Sequence, residues 1–326
     1  MLFRSFCAGT RIATPTGEVP VEHLAPGDKI LTANGMARRI VWMGTGRTLV
    51  TPGHRSAATP VIVRKGALAD GVPHRDLRVT KGHSLFIDGV LIPVEFLVNH
   101  RSIVWDDIAR EVVIYHLELT THDVLLAEGA PAESYRDDGN RWLFHNTNAR
   151  WKAAPQAPCA PVLIGGHVVD RLWQRLLDRT GPGLLPRLTE DADVHLLIDG
   201  QRLDAHEQHS GRYVFRLTGK PRGARIRSRS VVPQVLGIAR DPRRLGVAVR
   251  RIVMAQPKRQ RAIQAGDPRL SNGFQQYEKD NGIRWTNGDA AIPPELFSGV
   301  SSSCVLIVEI ACAARYIDDC EHRRAA

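Results

Sequence analysis

The chain has 326 residues, 43% of them hydrophobic and 24% charged, enough for two domains of ordinary size. Its longest strongly apolar run, Cys304 to Ala314, is interrupted by Glu309 and is too short to span a bilayer. The formal charge of +10 makes a polyanion a partner to consider, and the opening residues MLFRSF lack the apolar core of a signal peptide.

Short strands and tight turns fill the first 150 residues. "RIATPTGEVPVEHL" reads as strand, a Pro-Thr-Gly turn and a second strand. "GDKILTANGMARRIVWMG" carries an Asn34-Gly35 hairpin signal, and "HSLFIDGVLIPVEFLV" repeats it with Asp88-Gly89. "REVVIYHLELTTHDVLLAEG" alternates apolar and polar residues over two strands. No helical period appears in this half, so it is expected to be an all-β unit. Gly44-Thr45-Gly46 is not followed by Lys-Ser/Thr or a helix, so it is not a phosphate loop.

Residues 151 to 161, "WKAAPQAPCAP", have no periodicity and read as a linker. Val168, Leu172, Leu176 and Leu177 then place an apolar stripe on one helix, stopped by Gly-Pro-Gly. Strands follow in "VHLLIDGQRL", "GRYVFRL", "RIRSRSVV", "GVAVRRIVM" and "CVLIVEIACAARYI". The expected layout is an all-β domain over 1–150, a linker, and a β-sandwich-like domain over 162–326 with one leading helix.

Five cysteines, Cys7, Cys159, Cys304, Cys312 and Cys320, are too scattered for a disulfide framework, and no CxxC points to zinc. They read as buried thiols of a reducing compartment. No metal or cofactor is expected. Thirteen Lys and Arg lie between Lys220 and Arg261, and Arg225, Arg227 and Arg229 fall on one face if their strand is unbroken. That face is either a solvated surface or a polyanion site. Trp285, Thr286, Asn287 and Asp289 form either a carbohydrate platform or a hairpin turn beside a core Trp.

Three blocks carry a resemblance. They are "SFCAGTRIATPTGEVPVEHLAPGDKILT", "LRVTKGHSLFIDGVLIPVEFLVN" and "VIYHLELTTHDVLLAEG". In this order they resemble the Hint domain of hedgehog autoprocessing proteins and inteins, and among these the bacterial hedgehog-type proteins. The resemblance implies a β horseshoe over about residues 5 to 145. It also implies self-cleavage, in which a nucleophile at the domain's start attacks the preceding carbonyl and turns the amide into an ester or thioester. The domain's substrate is then its own N-terminal flanking peptide. Thr80 and His83 match the family's TxxH block, in which Thr holds the amide and His protonates the departing nitrogen. His122 matches a third-block His that supports later steps.

The family's nucleophile is Cys, and counting back from Thr10 lands on Ser5. Cys7 lies two residues later, about 7 Å along a strand. Ser5 fits the position and Cys7 the chemistry, since a thiol is partly ionised at neutral pH while a hydroxyl needs an adjacent base. A third reading is a degenerate scaffold that keeps the fold and binds carbohydrate or polyanion through its second domain. Only MLFR precedes Ser5, so cleavage releases four residues unless a longer segment lies upstream. No Asn follows "HDVLLAEG" in "APAESY", so splicing is not expected, and His145-Asn146-Thr147 lies too far on to serve as its junction. The stretch from Gly44 to Gly66 holds no Asp or Glu, so sterol transfer lacks its base.

Overall fold

The structure, a computed structural model, describes residues 4–51, 55–137, 141, 156–181, 186–257, 259–300 and 303–318. The chain divides into two compact units, Met1–Gly183 and Leu184–Ala326.

Thirteen strands are described in the first unit. They are β1 (Phe6–Cys7), β2 (Arg11–Thr14), β3 (Gly17–Pro20), β4 (Lys29–Leu31), β5 (Ala37–Leu49), β6 (Pro60–Val63), β7 (Leu77–Thr80), β8 (Ser84–Ile87), β9 (Val90–Pro93), β10 (Ile103–Trp105), β11 (Glu111–Leu119), β12 (Val124–Ala127) and β13 (Ala130–Glu133). One sheet runs β10-β6-β7-β1-β11-β5-β4 and the other β3-β2-β12-β13-β8-β9. The hairpins form where the turn residues predict them. Asp88 and Gly89, with φ of 49° and 82°, close β8 on β9, and Gly35 adopts φ 81° between β4 and β5. Strand alternation sends Ile12, Leu77, Val79, Leu85, Leu117 and Leu125 into one apolar core. Gly44-Thr45-Gly46 lies inside β5.

The helix α1, His167–Asp178, buries Leu172, Leu176 and Leu177 as its stripe predicts, together with Val169 and Trp173, while Val168 is half-buried. The sequence placed this helix at the head of the second domain. Instead its apolar face joins the first unit's core, and Trp173 Nε1 donates to the Val98 carbonyl at 2.7 Å. The described end of the expected linker is also ordered against this unit. Leu91 N donates to the Pro161 carbonyl and Leu163 N to the Leu91 carbonyl, extending the β9 edge. Low periodicity there reflected an edge contact made by backbone groups, which carries no side-chain signature.

The second unit holds β14 (Leu188–Thr189), β15 (His195–Ile198), β16 (Gln201–Asp204), β17 (Glu207–His209), β18 (Arg212–Leu217), β19 (Ala224–Arg227), the short helix α2 (Pro233–Leu236), β20 (Val247–Gln256), β21 (Arg259–Gln264), β22 (Arg284–Trp285), β23 (Asp289–Ala291), β24 (Cys304–Ala313) and β25 (Tyr316–Ile317). Sheets β16-β15-β19-β23 and β17-β18-β24-β20-β21 share one core of Leu196 and Ile226 from the first and Phe215, Ile252, Leu306 and Val308 from the second. The chain is mainly β, as expected, with a sandwich-like second unit.

Two expectations fail here. The strand bearing Arg225 and Arg227 ends at Arg227, so Arg229 lies beyond it. Arg225 and Arg227 both pair with Asp289, so a carboxylate within the sheet meets their charge. The cysteines are not uniformly buried: Cys7 and Cys304 are, while Cys159 and Cys312 are exposed. Cys312 lies near the end of β24, past the last inward residue of its face, Ile310. Cys320 lies outside the described residues.

Candidate active site

Strand β1 lies between β7 and β11, and the register fixes its neighbours. Phe6 stands opposite Val79 on one side and Tyr115 on the other. Stepping back one residue in an antiparallel ladder puts Ser5 between Thr80 and His116. The first, second and third sequence blocks thus supply one residue each to one point.

All three side chains are buried, with Ser5 and Thr80 fully so. Ser5 Oγ lies 2.6 Å from His116 Nε2. The Ser5 amide N donates to Thr80 Oγ1 at 2.9 Å, and the Thr80 amide returns a bond to the Ser5 carbonyl at 3.0 Å. Burial holds the His116 imidazole well below its ordinary value, with the nearby His83 adding to the effect. The ring is therefore neutral at pH 7, and in the tautomer that carries its proton on Nδ1 the Nε2 atom accepts from the Ser5 hydroxyl. The Tyr135 ring meets the His116 ring edge-on, with centroids 4.9 Å apart.

His83, two residues before the second residue of β8, packs its ring 4.3 Å from the Phe6 ring. Burial lowers its pKa to about 4, against the opposing pull of the Glu133 carboxylate. The Arg4 backbone also favours the protonated form of both His83 and His116, which places the Arg4–Ser5 linkage beside both imidazoles.

His122 stands one step further out. Its Nδ1 accepts from the Cys159 amide at 2.9 Å, which leaves the ring proton of its neutral form on Nε2. Nε2 in turn faces Glu133 Oε2 at 3.4 Å. Glu133, the last residue of β13, also accepts from the Ser84 amide at 2.7 Å, and Arg4 Nε lies 3.9 Å away. Burial acts to raise the Glu133 carboxyl. His122, His83 and Arg4 outweigh it and hold that carboxyl at about 2. Glu133 is thus an anchored anion behind the two inner imidazoles.

Cys7 sits two residues along β1 in a different environment. It packs in an apolar cluster with Trp42, Val50, Ile114 and Tyr135, and burial pushes its thiol up to about 12. The chemical advantage expected of a thiol at this position is therefore absent. His145-Asn146-Thr147 lies outside the described residues.

Sequence reasoning missed His116, Glu133 and Arg4. His116 lies in the third block, six residues before His122, flanked by apolar strand residues that made it look like core. The signal was the pairing of β11 with β1. Strand pairing is a non-local fact that no single block contains.

Residues 4–139 match the family profile of the Hint domain. Among solved structures, the chain is similar to a bacterial intein-like domain from Clostridium thermocellum, at 16% identity over 41% of this chain and 99% of the other, with TM-score 0.30. It is also similar to a DnaB intein from Synechocystis, at 13% identity over 40% of this chain and 98% of the other, with TM-score 0.31. The MchDnaB-1 intein is similar at 18% identity over 39% and 98%, with TM-score 0.31. No curated protein matches the chain.

In the second unit, the Thr286 hydroxyl is fully buried and accepts from the Val247 amide at 3.1 Å. Asn287 Oδ1 accepts from the Asp289 amide at 2.9 Å, and Gly288 at φ 95° completes the turn. Trp285 is half-buried on β22, which pairs with β20. These groups are committed to the turn and its packing, which favours the turn reading over a carbohydrate platform.

Proposed function

We propose that the Hint domain cleaves its own chain at the Arg4–Ser5 bond by an N-to-O acyl shift, followed by hydrolysis or transfer and without splicing. The observation that carries this reading is the buried 2.6 Å contact between Ser5 Oγ and a neutral His116 Nε2. A serine hydroxyl is a poor nucleophile until a base takes its proton, and this base is in place. His116 accepts the Ser5 proton as Oγ forms its bond to the Arg4 carbonyl carbon. The Arg4–Ser5 C–N bond then breaks, and the Ser5 nitrogen leaves as an amine, taking that proton from His116 directly or across His83. Water or a second nucleophile opens the resulting ester, releasing the upstream segment and restoring the Ser5 hydroxyl.

Thr80 holds the Ser5 N–H and so fixes the rotation of the scissile amide. His83 is neutral at pH 7 with a pKa of about 4, so its role as proton donor depends on receiving a proton released within the site. Glu133 stabilises positive charge as it appears on the imidazoles. His122 acts through Glu133 and is a positioning residue.

The test is the intact mass of a fusion carrying a reporter upstream of Met1, with and without hydroxylamine. The expected result is cleavage between Arg4 and Ser5 in the wild type and in Cys7→Ala, and none in Ser5→Ala. Cleavage lost in Cys7→Ala and kept in Ser5→Ala would move the chemistry to the thiol. No cleavage in any sample would leave the domain as a scaffold.

A further inference from the structure

A second cluster of ionisable groups lies on the first unit, away from Ser5. Glu18 of β3, His74 in the loop before β7 and Glu128 in the β12–β13 turn each offer one ligand atom, and these atoms lie within 4.8 Å of one another. His74 Nε2 is 3.1 Å from Glu18 Oε2 and 3.6 Å from Glu128 Oε2. A tetrahedral zinc with ligands near 2.0–2.1 Å spaces its donors about 3.3–3.4 Å apart, so both distances bracket the required value.

Glu128 supplies a separate observation. The residue is 2% exposed, and its Oε1 is used by the Arg11 amide at 2.8 Å. Its Oε2 is buried without a hydrogen-bond partner and faces His74. An ionised oxygen in that state is costly unless a cation completes it. The backbone holds the donors in place before any ion arrives. His74 N donates to the Glu128 carbonyl at 3.0 Å, Glu128 N donates to the Arg11 carbonyl at 2.8 Å, and Glu18 lies opposite Ala13 in the β2–β3 hairpin. Glu128 sits at φ 50° and Gly129 at φ 77°. A Cβ at Gly129 would stand 2.8 Å from His74 Nδ1, so this turn leaves the imidazole just the room it occupies.

We propose that Glu18, His74 and Glu128 bind one divalent zinc ion, with water in the fourth position. Two carboxylates and one imidazole suit zinc better than a hard cation, which prefers six or more oxygens. The side chains of His74 and Glu18 are 40% and 29% exposed, which gives the ion its entry path. Bound there, it ties the β2–β3 hairpin, the loop before β7 and the β12–β13 turn together. The competing account is a protonated His74 bridging the two carboxylates, which takes no metal.

Equilibrium dialysis of the untagged full chain against micromolar zinc, followed by metal analysis, separates the two. One zinc per chain is expected, with thermal unfolding moved upward by zinc. His74→Gln and Glu128→Gln should weaken zinc binding at least tenfold and remove the shift. Glu18→Gln, on the half-exposed hairpin strand β3, guards against a folding defect: its melting without zinc should match the wild type while zinc binding still weakens. No zinc retained by the wild type, or zinc retained equally by wild type and all three variants, would overturn the site.

Discussion

The two units bury very different things. Among the described residues, the first unit buries Ser5, Thr80, His83, His116, His122, Glu128, Glu133 and further polar groups, whereas the second buries only Gln234 and Thr286 of this kind. Both have large apolar cores. Burying ionisable groups costs stability, and a core of aliphatic residues would hold a fold together more cheaply. The second unit is built on that cheaper plan. The first bears the cost around β1, β7 and β11, where the three sequence blocks meet, and at the start of β8 and the end of β13. The contrast supports the proposal that places chemistry in the first unit, on physical grounds independent of any resemblance.

The largest expected effect tests that contrast directly. His116→Gln keeps the side chain polar and removes the base, so cleavage of the upstream fusion should slow by about 10²–10⁴-fold, the usual contribution of general base catalysis. Rates followed by gel or mass over time measure it. A change under threefold would mean the Ser5–His116 contact is a structural hydrogen bond, and the first unit's buried polar groups would need another explanation.

The second prediction concerns where the first unit ends. Trp173 is 1% exposed, and its indole N–H is satisfied by Val98. Trp173→Ala should destabilise the first unit by about 3–5 kcal/mol, as expected for deleting a large buried aromatic. Two-step urea unfolding, with the units resolved, should show the loss in the transition that also abolishes cleavage. A loss confined to the other transition would return the helix to the second domain.

Much of the first unit was legible from sequence because its signals are local. Turn pairs such as Asp88-Gly89 and strand alternation each occupy a few consecutive residues. Ser5, Thr80 and His83 were singled out because three motif blocks stand in order. What the sequence hid was relational. The helix stripe was plain, but nothing in Leu172, Leu176 or Leu177 says which core receives them. His116 was hidden because its role follows from a register shared by β1 and β11. The protonation of Cys7 follows from burial among Trp42, Val50 and Tyr135, which come from distant segments.

The third prediction is a pH effect confined to the first unit. The folded-state pKa of His83 is about 4, below its ordinary 6.5, and that of His116 is lowered as well. Between those values the unfolded chain binds protons that the folded one refuses, so stability falls as pH drops from about 6.5 toward 4. For His83 alone the loss is on the order of 3 kcal/mol. Glu133, held at about 2 against 4.5, continues the loss from pH 4.5 toward 2. Urea midpoints measured at pH 7.5, 6 and 5 should decline for the transition linked to cleavage. His83→Gln should flatten the decline above pH 5. An equal decline in both transitions would remove the contrast between the units.

The smallest effect belongs to the second unit. Asp289 pairs with Arg225 and Arg227, but it is 40% exposed and its partners are similarly open. Pairs in that setting contribute under about 1 kcal/mol, because solvent already screens the charges. Asp289→Asn should therefore barely move the second transition and leave cleavage unchanged. It does uncover two guanidinium groups on one strand face, which gives the polyanion reading a fair trial. If those arginines form such a surface, retention on heparin should increase in the variant, and the increase should disappear as salt rises. Retention that ignores the substitution would mean the basic charge of this half is spent on solubility and internal pairing. A drop in cleavage rate would be the more damaging result, since it would tie the chemistry at Ser5 to a carboxylate in the unit that buries almost no ionisable group.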